Sequence, residues 1–311
     1  MTTRGTTIKT DTPELLTLLR PMITRRYELF VDHEACCGCQ ICELVCPREA
    51  ISLSEATLED GRVVVETRVD IDETKCSFCG ECVALCPTHA LEIRVNGELA
   101  NPVVDGEAFP RLIRRRRVNQ EAFEGDGPVA VTDTTYIDEC PVGAISADVV
   151  VDEEGAVVAV QDVEIDRALC INCTHCMETG PKGAFEIIKP YKGRVFLDIS
   201  LCPEGCQACA DACPTAALVY DGEKVEFDRR FCLFCGACEQ VCPVEGENGV
   251  PIIHVERSGF AHTPVESGAW ARAVEKLVSY QETAREYAVK GQQRRRKLVL
   301  EALLGIEVDA K

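Results

Sequence analysis

The sequence predicts an α+β protein built as three tandem (βαβ)2 units with a C-terminal helical extension. Three observations lead there. Cysteine accounts for 21 of 311 residues, and most of it falls in runs of four with a proline behind the last. After these Cys-Pro steps a short small-apolar segment recurs, as PREAISL, PTHALEI, PVGAISA and PTAALVY, which marks an internal supersecondary repeat. Beyond Val255 cysteine stops, and Glu266 to Leu304 carries Trp270, Val274, Leu277, Ala284 and Ala288 near helical spacing, with Gly291 as a break.

The first run is Cys36, Cys39, Cys42 and Cys46, and the second is Cys76, Cys79, Cys82 and Cys86; both read C-x2-C-x2-C-x3-C-P. The run Cys202, Cys206, Cys209 and Cys213 has one extra residue in its first gap, and Cys232, Cys235, Cys238 and Cys242 return to the standard spacing. Pro47, Pro87, Pro214 and Pro243 follow the fourth cysteines. Three thiolates on one tight loop can cap three irons of a cubane, while the fourth cysteine starts a new direction and reaches the neighbouring site. This spacing is similar to that of bacterial ferredoxins, in which the fourth cysteine crosses to the other [4Fe–4S] cluster. Applied here, the crossing joins Cys36, Cys39 and Cys42 to Cys86, and Cys76, Cys79 and Cys82 to Cys46. It also joins Cys202, Cys206 and Cys209 to Cys242, and Cys232, Cys235 and Cys238 to Cys213. Zinc modules instead pair two CxxC elements across a longer spacer and often use histidine.

The middle of the chain is a broken copy of this pattern. Cys170, Cys173 and Cys176 open a run whose fourth position is Gly180, followed by Pro181. Upstream, Cys140-Pro141 ends a run whose three leading positions, counted back by the same spacing, are Ala130, Asp133 and Tyr136. All four ligands of one site are absent together, and Cys170, Cys173, Cys176 and Cys140 remain as the other. The expectation is five [4Fe–4S] clusters on twenty cysteines, with Asp133 as a lone oxygen ligand the alternative at the sixth position. Cys37 is left over, either as a spare thiol or as a redox-labile one. The histidines, His175 among them, are expected to be unliganded. Every site has four thiolates, so no iron is left open for chemistry, and a non-catalytic electron carrier is expected.

The units read as an N-terminal docking segment at 1–28, a first module at 29–98, a linker or insertion at 99–128, a second module at 129–190, a third at 191–256 and a helical arm at 257–311. Pro13 to Arg25 reads as a small docking helix. Hairpins are expected where VVVETRV precedes Asp70 and AVVAVQDVEI precedes Asp166. Gly125-x-Gly127-x-x-Ala130 superficially matches a dinucleotide fingerprint, but no strand precedes it and Pro128 follows, so it reads as chance. The long C-terminal helix must bury its apolar stripe, either back on the modules or, the favoured reading, as an arm gripping another subunit. The formal charge of −19 argues against nucleic acid. The basic runs Arg114 to Arg117 and Arg294 to Lys297 read as solvated faces, or as docking points for an acidic neighbour. No apolar run has signal-peptide or membrane-span length, so a soluble, cytoplasmic protein is expected, with thiols reduced rather than paired as disulfides.

The chain resembles the polyferredoxin subunit of tungsten- or molybdenum-dependent formylmethanofuran dehydrogenase from methanogens and related archaea. The resemblance is carried by LCPEGCQACADACPTAAL (Leu201 to Leu218), FCLFCGACEQVCPVEG (Phe231 to Gly246) and HTPVESGAWARAVEKL (His262 to Leu277), and is best in the last third. The family's layout looks like four double modules with eight clusters, against three and five here. The resemblance implies a role in methanogenesis, moving low-potential electrons to or from a metal–pterin site that reduces CO2 and sits in partner chains. It also implies docking to other subunits of an oxidoreductase complex, with a soluble ferredoxin or a hydrogenase as donor. The alternatives are a polyferredoxin partner of a hydrogenase or heterodisulfide reductase, and a structural assembly subunit.

Overall fold

A computed structural model of the chain describes residues 5–123, 132–244 and 252–278. Its local order starts in the cysteine loops. In each C-x2-C-x2-C run the residue two past the first cysteine and the residue after the second take left-handed backbone. These are Gly38 and Gln40 (φ 68° and 64°), Phe78 and Gly80 (56° and 88°), Asn172 and Thr174 (62° and 78°), and Phe234 and Gly236 (55° and 91°). The alternation winds the loop tightly enough for its three thiols to face one side. Such a backbone costs about 1–3 kcal/mol at a non-glycine residue and persists only where the surroundings hold it. Four one-turn helices follow, Ile41–Val45, Glu81–Leu85, His175–Thr179 and Ala237–Val241, each carrying the third cysteine of its run. A proline disfavours helical backbone in the residue before it. Cys46, Cys86 and Cys242 accordingly end their helices in extended geometry, with ψ of 113°, 120° and 118°. The Cys202 run differs: its added residue brings a left-handed Gly205, while Gln207 has φ −130° before the turn Ala208–Asp211.

Antiparallel strand pairs flank the loops. Arg26–Asp32 pairs with Leu91–Val95, Arg116–Val118 with Phe185–Ile187, and Tyr191–Leu197 with Ile253–Phe260. The smaller pairs are Ile51–Leu53 with Val69–Ile71, Leu218–Tyr220 with Val225–Phe227, and the two hairpins Thr57–Glu59/Arg62–Val65 and Ile145–Val151/Val157–Ile165. The hairpins lie where the alternating segments place them. The first reaches across the chain, its Gly61 carbonyl accepting from Gln207 N–H at 2.8 Å and its Val63 N–H donating to Asp211 at 3.0 Å.

Three expectations bear on this fold. Pro13 to Arg25 is not a docking helix: Leu15–Pro21 is a strand between Ile8–Asp11 and Arg26–Asp32 in a five-stranded sheet. Leucines at 15, 16, 18 and 19 satisfy either period, and pairing decides. Leu16 lies opposite Val31 and Leu18 opposite Leu29, and all four are at most 2% exposed. Of the two readings at 99–128, linker or insertion, the described part 99–123 fits the insertion: it supplies the helix Pro102–Asp105 and the strand that pairs with Phe185–Ile187. The third expectation concerns the C-terminal arm. The helix Gly268–Leu277, capped by the Ser267 hydroxyl accepting from Trp270 N–H at 3.0 Å, folds back on the body. Trp270, Ala273 and Leu277 share a core with Ile41, Val45, Leu85 and Phe109, so the packing-back alternative holds for these residues. Ala284, Ala288, Gly291 and the run Arg294 to Lys297 lie outside the described residues. Among the described residues no helix is long and apolar enough to cross a membrane.

Several cores hold the cysteine-bearing segments, and two of them join parts remote in sequence. One joins the helices of the first two runs to the region around Cys209, Leu218, Phe234 and Cys238, so the beginning and the cysteine-rich end of the chain pack directly on each other. The other is aromatic: Tyr136 contacts Phe123 and Phe185 with ring centroids 5.7 and 5.3 Å apart, and Phe123 meets Phe185 at 5.7 Å. Tyr136 is fully buried, and its hydroxyl has no hydrogen-bond partner among the described residues.

Two stability measurements check this packing. Arg272 of the last helix donates to both Glu81 oxygens at 2.7 and 3.0 Å, and the Glu81 side chain is 4% exposed. Arg272→Ala should therefore cost about 2 kcal/mol by leaving that carboxylate unpaired, and adding Glu81→Gln should recover part of the loss. Tyr136→Phe should raise stability by about 1 kcal/mol, because it removes a buried unpaired hydroxyl and keeps the ring. Thermal unfolding reads both, and a destabilised Tyr136→Phe contradicts the burial described.

Candidate metal centres

The fold brings the crossed cysteines together. Cys46 lines one cavity with Cys76, Cys79 and Cys82, walled by Leu29, Ile51, Phe78 and Ile93. Cys140 lines a second with Cys170, Cys173 and Cys176. Cys242 closes a third on Cys202, Cys206 and Cys209, and Cys213 a fourth on Cys232, Cys235 and Cys238. At the remaining quartet, Cys42 and Cys36 interact with one another, and both interact with Cys39 and Cys86. In every case three thiols come from one loop and the fourth from another run.

Backbone N–H groups point at these sulfurs. Phe234 N–H donates to Cys232 at 3.3 Å, and Gly38, Phe78 and Asn172 stand in the same relation to Cys36, Cys76 and Cys170. Here is the use of the left-handed residues: they turn an amide toward the first thiol of the run. Behind the fourth cysteines, Ala50 and Ala144 N–H donate to Cys46 and Cys140 at 3.3 and 3.2 Å. Burial pushes the bare thiols up, Cys173 to about 11 and Cys36, Cys176, Cys209 and Cys232 to about 12. Four thiolates in such a cavity need a positive group among them. Among the described residues no three His, Cys, Asp or Glu side chains converge tightly enough for a single metal ion. Thiols spread round an apolar-walled cavity fit a group with its own volume, such as a [4Fe–4S] core, and not mononuclear zinc.

The broken position is filled with side chains. Tyr136 stands in the aromatic core with Phe123 and Phe185. A Cβ at Gly180 would come within 2.6 Å of both the Phe185 ring and the Cys176 carbonyl, so no cysteine fits there. Asp133 is half-buried just before the helical turn Thr135–Asp138, and its carboxylate accepts from Thr135 N–H at 2.9 Å. Ala130 lies outside the described residues.

Other singled-out residues have partners of their own. His175 stacks on Phe231 at 3.6 Å and its Nε2 bonds the Thr215 carbonyl at 2.7 Å. Cys37, left over in the sequence, lies in a small core with Cys39, Cys173, Cys235, Ile171, Leu233 and Val142. Its thiol hydrogen-bonds Cys235, which pushes Cys37 up and Cys235 down. One thiol from each of three quartets thus meets in one packed spot. Spacing alone could not reveal this, because the three residues come from separate runs.

The run Arg114 to Arg117 is not a solvated face. Arg115 and Arg117 are exposed and reach Glu186, at 2.5 and 3.9 Å, whereas Arg114 and Arg116 are half-buried; the strand itself begins at Arg116, and the extended segment before it keeps the same alternation. Arg114 donates to the Cys86 carbonyl, and Arg116 donates to Asn172 Oδ1 at 2.8 Å. His89 lies between them, 3.0 Å from Arg114 Nη1 and 2.9 Å from Arg116 Nη2. Burial and the two guanidiniums push His89 down to about 3, so the ring stays neutral.

Comparison with known proteins agrees with this geometry. A family model described as a 4Fe-4S dicluster domain matches residues 35–90 and 201–245. One component of an ion-translocating oxidoreductase complex from Methanosarcina acetivorans is 42% identical over 64 residues, which are 21% of this chain and only 20% of that relative. Ferredoxin-3 of Rhodobacter capsulatus is 34% identical over 83 residues, 21% of this chain and 81% of its own length. Among solved structures, a chain of the formate dehydrogenase–heterodisulfide reductase–formylmethanofuran dehydrogenase complex from Methanospirillum hungatei is similar at a TM-score of 0.72 and 27% identity, covering 89% of this chain and 93% of that one. The thiol-lined cavities, the matched dicluster domains and the ferredoxin relatives together place the chain in the family of 4Fe–4S dicluster ferredoxins.

Proposed function

We propose that the chain is an electron-relay polyferredoxin of three double modules. Its five [4Fe–4S] sites are Cys36, Cys39, Cys42 and Cys86; Cys76, Cys79, Cys82 and Cys46; Cys170, Cys173, Cys176 and Cys140; Cys202, Cys206, Cys209 and Cys242; and Cys232, Cys235, Cys238 and Cys213. When bound, such a group supplies one-electron exchange at low potential. The observation that carries the reading is the adjacency of these quartets. Cys42 interacts with Cys82, and Cys238 with Cys209, within their own segments. Cys39, Cys173 and Cys235 then bring one thiol from each segment into one core. The first and third segments therefore touch without passing through the second, whose single site sits beside their contact as a branch. The lost sixth site is no gap in the line.

The chain's own residues keep water from the quartets, present amides to the sulfurs and fix the spacing between segments. No quartet is short of a thiolate, which favours a carrier over a catalyst. The similarity to a chain of a complex named for formate dehydrogenase, heterodisulfide reductase and formylmethanofuran dehydrogenase supports a partner of that class. Within it we favour delivery to a CO2-reducing metal–pterin centre, on the segments around Leu201 to Leu218 and His262 to Leu277; a heterodisulfide reductase partner is the second reading.

Anaerobic purification from the native cell should give about twenty iron per chain, four for each quartet, all reducible by a low-potential donor. The metal–pterin subunits should co-purify. Iron that resists reduction makes the chain a scaffold, and co-purification with heterodisulfide reductase alone favours the second reading.

A further inference from the structure

Arg114 and Arg116 form a pair of cations between two of the proposed sites. Arg114 holds the carbonyl of Cys86, a residue of the first quartet. Arg116 holds Asn172 and the Arg167 carbonyl, on the loop of Cys170 in the third quartet. Both guanidiniums interact with Cys170, and Arg114 also with Cys86. Neighbouring Arg115 and Arg117 reach Glu186, whereas among the described residues no carboxylate oxygen lies within 4.0 Å of Arg114 or Arg116. Arg114 Nε is sealed from solvent with no partner among the described residues, and the His89 ring stands between the two guanidiniums. In a chain of net charge −19, an inward cation pair with no carboxylate in salt-bridge contact is conspicuous; Asp166 acts on Arg116 only from beyond that distance. Desolvated positive charge requires compensation nearby, and beside Asp166, which acts on Arg116, the described residues offer the thiolates of these two quartets.

The geometry points to Arg114 and Arg116 as the shared counter-charge of the first and third sites, raising the reduction potential of both. This rests on the cluster assignment above. An arriving electron adds one negative charge to a four-thiolate site, and a fixed cation close by in a poorly screened interior favours that reduced form. Because one pair serves two sites in different segments, it also keeps their potentials close, as easy exchange between the trunk and its branch requires.

The test is a redox titration of the full chain followed by electron paramagnetic resonance, comparing wild type with Arg114→Gln/Arg116→Gln and with Arg114→Lys/Arg116→Lys. In the glutamine pair two midpoints should fall, each by about tenfold in the one-electron equilibrium, or about 59 mV. The other midpoints should hold, and the lysine pair should stay near wild type. Should the glutamine pair lose iron, Arg116→Gln alone supplies the same comparison with Arg114 in place. Unchanged midpoints at full iron content, or equal falls in the glutamine and lysine variants, overturn the inference. Wild-type protein with far less than four iron per quartet would instead overturn the cluster assignment itself.

Discussion

The structure depends on the step by which the fourth cysteine of one run leaves its helix and enters the cavity of another. Proline after that cysteine keeps it out of helical backbone, and the extended exit carries Cys46 to the second loop and Cys86 to the first. The crossing ties two loops that are remote in sequence into one unit, which lets five-residue helices and three-residue strands persist although neither is stable alone. The left-handed residues, the amides aimed at sulfur and the apolar cavity walls all follow from holding three thiols of one loop against a fourth from elsewhere.

The crossing also accounts for the broken segment. Under the proposed ligation, removing one site releases four ligand positions shared between two runs; of the three that are described, Tyr136 stands in an aromatic core, Asp133 precedes a helical turn, and Gly180 is pressed against Phe185. A buried ring costs no charge desolvation and needs no metal, so packing replaces coordination there. The neighbouring quartet keeps its place from two sides: Cys173 leans on Cys37, Cys39 and Cys235, and Cys176 and Cys140 pack on the aromatic core itself.

The quartets were legible in the sequence because spacing fixes which thiols share a loop, and the alternating segments before Asp70 and Asp166 were legible as hairpins. What escaped lies between segments. Leu15, Leu16, Leu18 and Leu19 fit a helical or a strand period equally, and only pairing with Leu29 and Val31 settles them. The arginine run reads as a surface because composition does not reveal that alternate side chains of an extended segment point inward. Trp270 and Leu277 mark a helix, but the partner they cover is supplied by Ile41, Val45 and Phe109 far upstream. The junction around Cys37 joins separate runs, and nothing in their spacing encodes it.

Diffraction with anomalous scattering at the iron edge should find five iron centres, each enclosed by one of the crossed quartets, with the first, third and fifth grouped around Cys37 and no iron beside Tyr136. Iron bound by the four cysteines of a single run, or a sixth centre in the aromatic core, would contradict this ligation.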